Sequence, residues 1–202
     1  MSSFSVYVIE SNKPEERQYS EGAALSKVLA FSGVPCTYLE APNKNAMDFL
    51  LRAIVPLTLA QQNNIPIIHF SAHGCDKGIA LTSTESISWK ELAMMLRPIQ
   101  EMTGGRYLLA MSSCMGLAAL NIPLFTDVKM YGIVGTLKIV AWSDNVVAFA
   151  AFYHLLQKGY SIPQAVEGMK SASGNPDYRY AHSDTFIEEH RRQLVFSSGL
   201  GQ

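Results

Sequence analysis

The 202-residue sequence has little that would tie it to a membrane, to nucleic acid or to a disulfide scaffold. No apolar run approaches the roughly 18 residues that a membrane span requires, so no span is predicted. The first residues, Met1-Ser2-Ser3-Phe4-Ser5, lack the charged region and long apolar stretch of a secretory signal and read as the lead-in to a strand. The cytoplasm is therefore the expected compartment. Charged residues make up only 16% of the chain, and 16 Lys+Arg against 17 Asp+Glu leave a net charge of -1. That balance gives no electrostatic footprint for nucleic acid or anionic lipid. The three cysteines, Cys36, Cys75 and Cys114, are an odd number without C-x-x-C spacing, which suits a reducing compartment and supports neither a metal site nor a cofactor. There is also no internal repeat, heptad array or low-complexity tract.

What remains is 48% hydrophobic residues in a chain of one-domain length, so residues 1–202 are expected to form a single domain, with 171–202 as a C-terminal extension. Apolar runs rich in β-branched and aromatic residues predict buried strands at Val6–Ile9, Cys36–Leu39, Ile65–Phe70, Tyr107–Met111 and Tyr131–Gly135. Helical spacing separates them at Glu15–Phe31, Asn45–Gln62, Ser88–Leu96 and Asp144–Lys158, followed by a short helix at Ile162–Lys170. The Ser171–Asp177 cluster predicts a loop, and a last helix is expected near Thr185–Val195. Alternating strands and helices require crossover connections, and hence a mostly parallel sheet covered on both faces. The fold class is α/β, a three-layer α/β/α sandwich.

In such sheets, reactive groups collect beyond the carboxyl ends of the strands. Two ends carry chemistry here: Ile65–Phe70 runs into Ser71-Ala72-His73-Gly74, and Tyr107–Met111 runs into Ser112-Ser113-Cys114-Met115-Gly116. A cysteine of ordinary acidity is a few per cent thiolate at neutral pH, and an imidazole can activate it and later protonate a leaving amine. Cys114 is the candidate nucleophile and His73 the candidate acid/base. The glycine after His73 lets a substrate approach the backbone, and the amides of Gly74 and Cys114 are the candidate oxyanion hole. Ser113 as a serine nucleophile lacks the G-x-S-x-G elbow. His69 and His154 read as structural, His182 and His190 as exposed tail residues, and Cys75 as a modifiable thiol beside the His-Gly pair.

The two motifs resemble those of the caspase-hemoglobinase group and, within it, the CHAT family. Similar too are Gly78-Ile79-Ala80-Leu81 with Ile87-Ser88-Trp89-Lys90-Glu91-Leu92, and the downstream Gly132–Thr136, Trp142-Ser143-Asp144, Ala148–Tyr153 and Gly159–Val166 segments, so that residues 65–170 carry the resemblance. It implies a caspase-like cysteine endopeptidase that cleaves a protein or peptide substrate through a thioester acyl-enzyme. It also implies a regulatory protein or sensor acting in trans, with bacterial antiviral defence or programmed death as a setting. Relatives that cut after arginine or lysine often carry an acid two residues before the nucleophile, where this chain has Ser112. Asp144 lies where separases and metacaspases place acids of the pocket for the residue before the scissile bond. Ser112, Trp142 and Asp144 are thus the candidate substrate-binding residues, although Ser143 or Asp144 as a helix cap explains the same sequence. Only Asn121–Lys129 precedes the next strand, so no long excisable linker is expected and the active form is expected to be one uncut chain. The reading from another class is a catalytically inactive caspase-like binding or scaffold protein.

Overall fold

The computed structural model describes residues 4–61, 64–81 and 85–188. Six strands form the main sheet: β1 (Phe4–Ser11), β2 (Cys36–Glu40), β3 (Ile65–Cys75), β6 (Leu108–Ser112), β7 (Gly132–Thr136) and β8 (Tyr178–His182). Their spatial order is β2-β1-β3-β6-β7-β8, and every neighbouring pair is parallel except β7 with β8. Two short strands, β4 (Gly78–Ala80) and β5 (Ser86–Ser88), extend the end of β3 as an antiparallel ribbon.

Alternation along the strands divides the core into two layers. Tyr7, Ile9, Ile68, Phe70, Leu109, Met111 and Ile133 belong to one cluster. That cluster also buries residues of α2 (Lys44–Phe49), α3 (Val55–Leu59), α4 (Trp89–Thr103) and α5 (Asn121–Phe125). Val6, Val8, Ile67, Leu108, Ala110 and Val134 pack instead with α1 (Glu21–Phe31), α6 (Trp142–Gln157) and α7 (Ile162–Ser173). Both faces of the sheet are apolar, which is why its strands read as continuous hydrophobic runs. The three-layer α/β/α sandwich with a mostly parallel sheet is the observed architecture.

The differences from expectation are local. The helix expected over Glu15–Phe31 is two elements: a 3-10 turn at Pro14–Tyr19, then α1, whose cap Ser20 accepts the Ala23 amide at 3.1 Å. The Asn45–Gln62 helix forms as α2 and α3 joined by a wider π turn at Leu50–Ile54; residue 62 lies outside the described residues. α4 runs past Leu96 and through Pro98 to Thr103, because Ile99 continues the buried stripe set by Leu92, Met95 and Leu96. It ends at Gly104, whose φ of 60° is the left-handed conformation that glycine adopts without a Cβ penalty. Ser88 and Glu91 form a capping box at its start.

The sequence reading missed β8, placing Tyr178–His182 beyond a loop in a polar tail. Tyr178 is fully buried on the edge of the sheet, and His182 stacks edge-on to Tyr131 at 4.8 Å, so that histidine is not a free tail residue. Of the helix expected near Thr185–Val195, residues 183–188 are helical and the remainder lies outside the described residues, as does His190.

Candidate active site

β3 and β6 are neighbours in register, with Ser71 opposite Ser112, so the segments that follow them emerge side by side. Two residues further on stand His73 and Cys114, on the sheet face covered by α1 and α6. Both line a cleft of about 140 Å³, together with Ala72, Ser113, Val140, Trp142 and Asn145. The two residues singled out from sequence therefore share one cavity at the carboxyl edge of the sheet.

The imidazole is held from two sides. Glu16, in the 3-10 turn before α1, places its carboxylate oxygens 3.0 and 2.9 Å from His73 Nε2. Trp142, the first residue of α6, meets the ring edge-on at a centroid distance of 5.4 Å. Partial burial works to raise the Glu16 carboxyl; the hydrogen bonds from His73 and from the Lys13 amide, with the charges of both residues, outweigh it and hold the group below its ordinary value.

The Cys114 Sγ lies against the loop between β7 and α6, 3.5 Å from the Val140 amide and 3.7 Å from the Val140 carbonyl oxygen. The same loop bonds the next residue, since the Met115 amide donates to Lys138 O at 3.1 Å. Met115 has φ 55°, the one positive φ at a non-glycine position among the described residues. The Cys114–Met115 turn is thus a strained corner held by contacts on both sides.

Gly74 is required by space. A Cβ there would stand 2.4 Å from the Cys114 carbonyl oxygen and 2.9 Å from Ser113 Cβ. Its closest neighbour is the Cys114 turn, whereas the sequence reading explained the glycine by the approach of substrate. Gly74→Ala must push His73 and Cys114 apart. We expect a loss of about 1–3 kcal/mol in urea unfolding, the usual cost of overpacking, and slower alkylation of Cys114. Unchanged stability and alkylation would show that the two segments are not rigidly packed.

The substrate-binding candidates separate. Trp142 lines the cleft; Ser112 is fully buried below it, its Oγ without a partner among the described residues. Asp144 is partly buried in the first turn of α6, and the residue of that turn that lines the cleft is Asn145. Neither Ser143 nor Asp144 caps the helix: the cap position is Ala141, with no side-chain bond. Asn145 is itself oriented, accepting the Tyr178 hydroxyl at 2.7 Å. Asn145, which lines the cleft, and Glu16, which bonds its histidine, are therefore residues that sequence reasoning passed over. Glu16 was hidden inside a helix that the structure breaks, and no motif flags it.

Of the remaining candidates, His69 is fully buried, its Nδ1 2.9 Å from the Tyr153 hydroxyl and its Nε2 3.5 Å from Glu21. His154 is exposed. Cys75 is exposed, and burial pushes the Cys36 thiol up to about 11, which keeps it protonated and unreactive. Among the described residues there is no cluster of three metal-type ligands and no helix long and apolar enough to cross a membrane.

No protein-family model matches the chain, and no curated protein does. Among solved structures it is similar to a secreted C11 cysteine protease from Bacteroides thetaiotaomicron, in complex with an irreversible peptide inhibitor. The TM-score is 0.56 at 7% sequence identity, over 85% of this chain and 58% of that one, so the match spans less than two thirds of the protease's length. The chain has the caspase-like α/β fold of that protease.

Proposed function

We propose that this protein is a cysteine endopeptidase with Cys114 as nucleophile and His73 as acid/base. The observation that carries the reading is their meeting in one cleft at the ends of adjacent parallel strands, on a fold shared with a cysteine protease. In the reaction, the Cys114 thiol gives its proton to His73 and Sγ attacks the peptide carbonyl carbon, whose π electrons move to oxygen. The Gly74 and Cys114 amides are the proposed donors to that oxyanion. Collapse expels the amine, which takes the proton from His73, and leaves a thioester. Water, deprotonated by His73, then attacks the thioester and releases the acid, and the thiol is restored.

Charge along this edge supports a reading of the substrate class. No lysine or arginine is among the described residues lining the cleft or the two grooves along the same edge, whereas Glu10, Glu21 and Glu40 are. Asp144 adds a fourth carboxylate beside Asn145. We therefore read the preferred residue before the scissile bond as arginine or lysine, with Trp142 in the cleft and Asp144 beside it as the proposed substrate contacts, Ser112 lying buried beneath the cleft, and with control by a regulatory partner in a defence or death pathway. Cleavage-site profiling of a peptide library with the wild-type chain and Cys114→Ala tests this. Enrichment of Arg and Lys in the wild type alone is the expected result, about tenfold over neutral residues for one compensated charge. Enrichment of Asp or Glu would sink it.

A further inference from the structure

We propose that Glu16 is a positioning residue that fixes the tautomer and the plane of the His73 imidazole, making the pair a three-residue relay. The inference rests on His73 being the acid/base of the cleft, and it adds a residue that neither the motifs nor the fold assigns.

An ionised carboxylate only accepts hydrogen bonds. With both Glu16 oxygens about Nε2, at 3.0 and 2.9 Å, that nitrogen must carry a hydrogen. In the neutral ring the lone pair is then on Nδ1, which makes no hydrogen bond among the described residues and is left to serve the cleft that His73 shares with Cys114. Were Glu16 absent, the ring would populate both tautomers and turn about its Cβ–Cγ bond. Part of the time it would present an N–H where a base is needed. When Nδ1 accepts the thiol proton, the imidazolium stands beside a carboxylate that stabilises the charge and does not itself take the proton.

The surroundings of Glu16 keep it in place and ionised. The Lys13 amide donates to Oε2 at 3.2 Å, and the turn is anchored at its far end where the Ser20 hydroxyl donates to Glu10. Trp142 packs T-wise against the same ring, so the imidazole contacts both an indole and a carboxylate. Among the described residues, Glu16 and Cys114 are the ionisable groups that the contacts and the cleft place about the ring, with Lys13 bonded to Glu16; the α6 and β7–α6 loop residues of the cleft are Val140, Trp142 and Asn145. A plain surface ion pair is the competing account, since the side chains of His73 and Glu16 are 34% and 26% exposed. Such a pair contributes little to stability and leaves the ring free to change tautomer.

The test uses two readouts on the full chain. The first is nitrogen-15 NMR of histidine-labelled Cys114→Ala protein at neutral pH, with and without Glu16→Gln. It needs no catalysis, so it stands whether or not the chain proves to be a peptidase. The Nε2–H tautomer is expected for His73 when Glu16 is present and a mixture of both tautomers in Glu16→Gln. The second is peptide-amide hydrolysis by wild type, Glu16→Gln and Glu16→Asp with otherwise native Cys114. Here kcat is expected to fall about 100-fold in Glu16→Gln, the usual scale of acid–base assistance, with KM within about twofold and with Glu16→Asp recovering part of the rate. Identical His73 tautomers with and without Glu16→Gln, or equal kcat in an active enzyme of unchanged melting temperature, would overturn the proposal. A tautomer shift in a chain without hydrolytic activity would uphold the positioning role and reject the peptidase.

Discussion

Cys114→Ala is expected to abolish peptide cleavage, with a fall of about 10⁴-fold or more, because the covalent route disappears while the cleft is preserved. His73→Ala should be nearly as damaging, and the double variant no worse than Cys114→Ala alone, since residues that act in one step are not additive. The structure gives a reason to expect that the alanine variant folds. Among the described residues the Sγ makes two long hydrogen-bond contacts, to the Val140 amide and carbonyl, and Cys114 belongs to neither hydrophobic core cluster. A peptide bearing an acyloxymethyl ketone should label the wild-type chain at Cys114 alone, among three free cysteines of which Cys75 is the more exposed. Labelling at Cys75 instead, or peptide binding that is equal in wild type and Cys114→Ala with no cleavage in either, would favour the inactive scaffold.

His73 and Cys114 were legible in the sequence because of the strands that carry them. Strand β3 and strand β6 are apolar on both faces, so they stand out as uninterrupted runs, and in a parallel sheet the residues just past them must gather at one edge. His73 and Cys114 could be paired without knowing any distance. The same logic fails for Glu16. Its position depends on where a helix begins, and Glu15 to Phe31 carries no proline to mark the break, while its one glycine, Gly22, lies inside the first turn of α1. The break is tertiary in origin: the Ser20 hydroxyl is drawn to Glu10 on β1, which stops the turn at Tyr19 and starts α1 at Glu21. Asp144 shows the converse. Its sequence position matched an expected pocket, yet α6 starts two residues earlier than the pattern suggested, at Trp142, and the extra residues set Asn145 rather than Asp144 among the residues lining the cleft. Strand β8 was lost for a third reason. As an edge strand of Tyr-Arg-Tyr-Ala-His it has one neighbour and keeps Arg179 exposed, so it lacks the apolar continuity of the central strands.

The largest stability effect is expected at Glu10, which joins these elements. In register across three strands, Glu10, Ser71 and Ser112 form a polar row beneath His73 and Cys114 on the α1 side of the sheet. The Glu10 carboxylate is 4% exposed and has no cationic partner among the described residues. It is satisfied by neutral donors instead: the Gly22 amide at 2.7 Å, the Tyr38 hydroxyl at 2.6 Å, the Ser71 hydroxyl at 3.2 Å and the Ser20 hydroxyl. One side chain therefore ties β1 to β2, to β3 and to the start of α1. Glu10→Ala removes the acceptor from all four. Ser20 and Tyr38 are only partly buried and can turn to water, but the Gly22 amide and the Ser71 hydroxyl are buried and cannot. At about 1–3 kcal/mol for each of the two buried donors left unpaired, the variant should lose about 2–6 kcal/mol, a large part of the 5–15 kcal/mol typical of a single domain. Urea unfolding reads this directly. Glu10→Gln keeps the volume but turns an N–H₂ toward groups that are themselves donors, so it should fall between the two. The turn that carries Glu16 ends at Ser20, so folded Glu10→Gln protein should also lose kcat while Cys114 remains open to small alkylating reagents. A Glu10→Ala midpoint unchanged from wild type would mean that the four donors find other acceptors, and that β1, α1 and the Glu16 turn are held in place by packing alone.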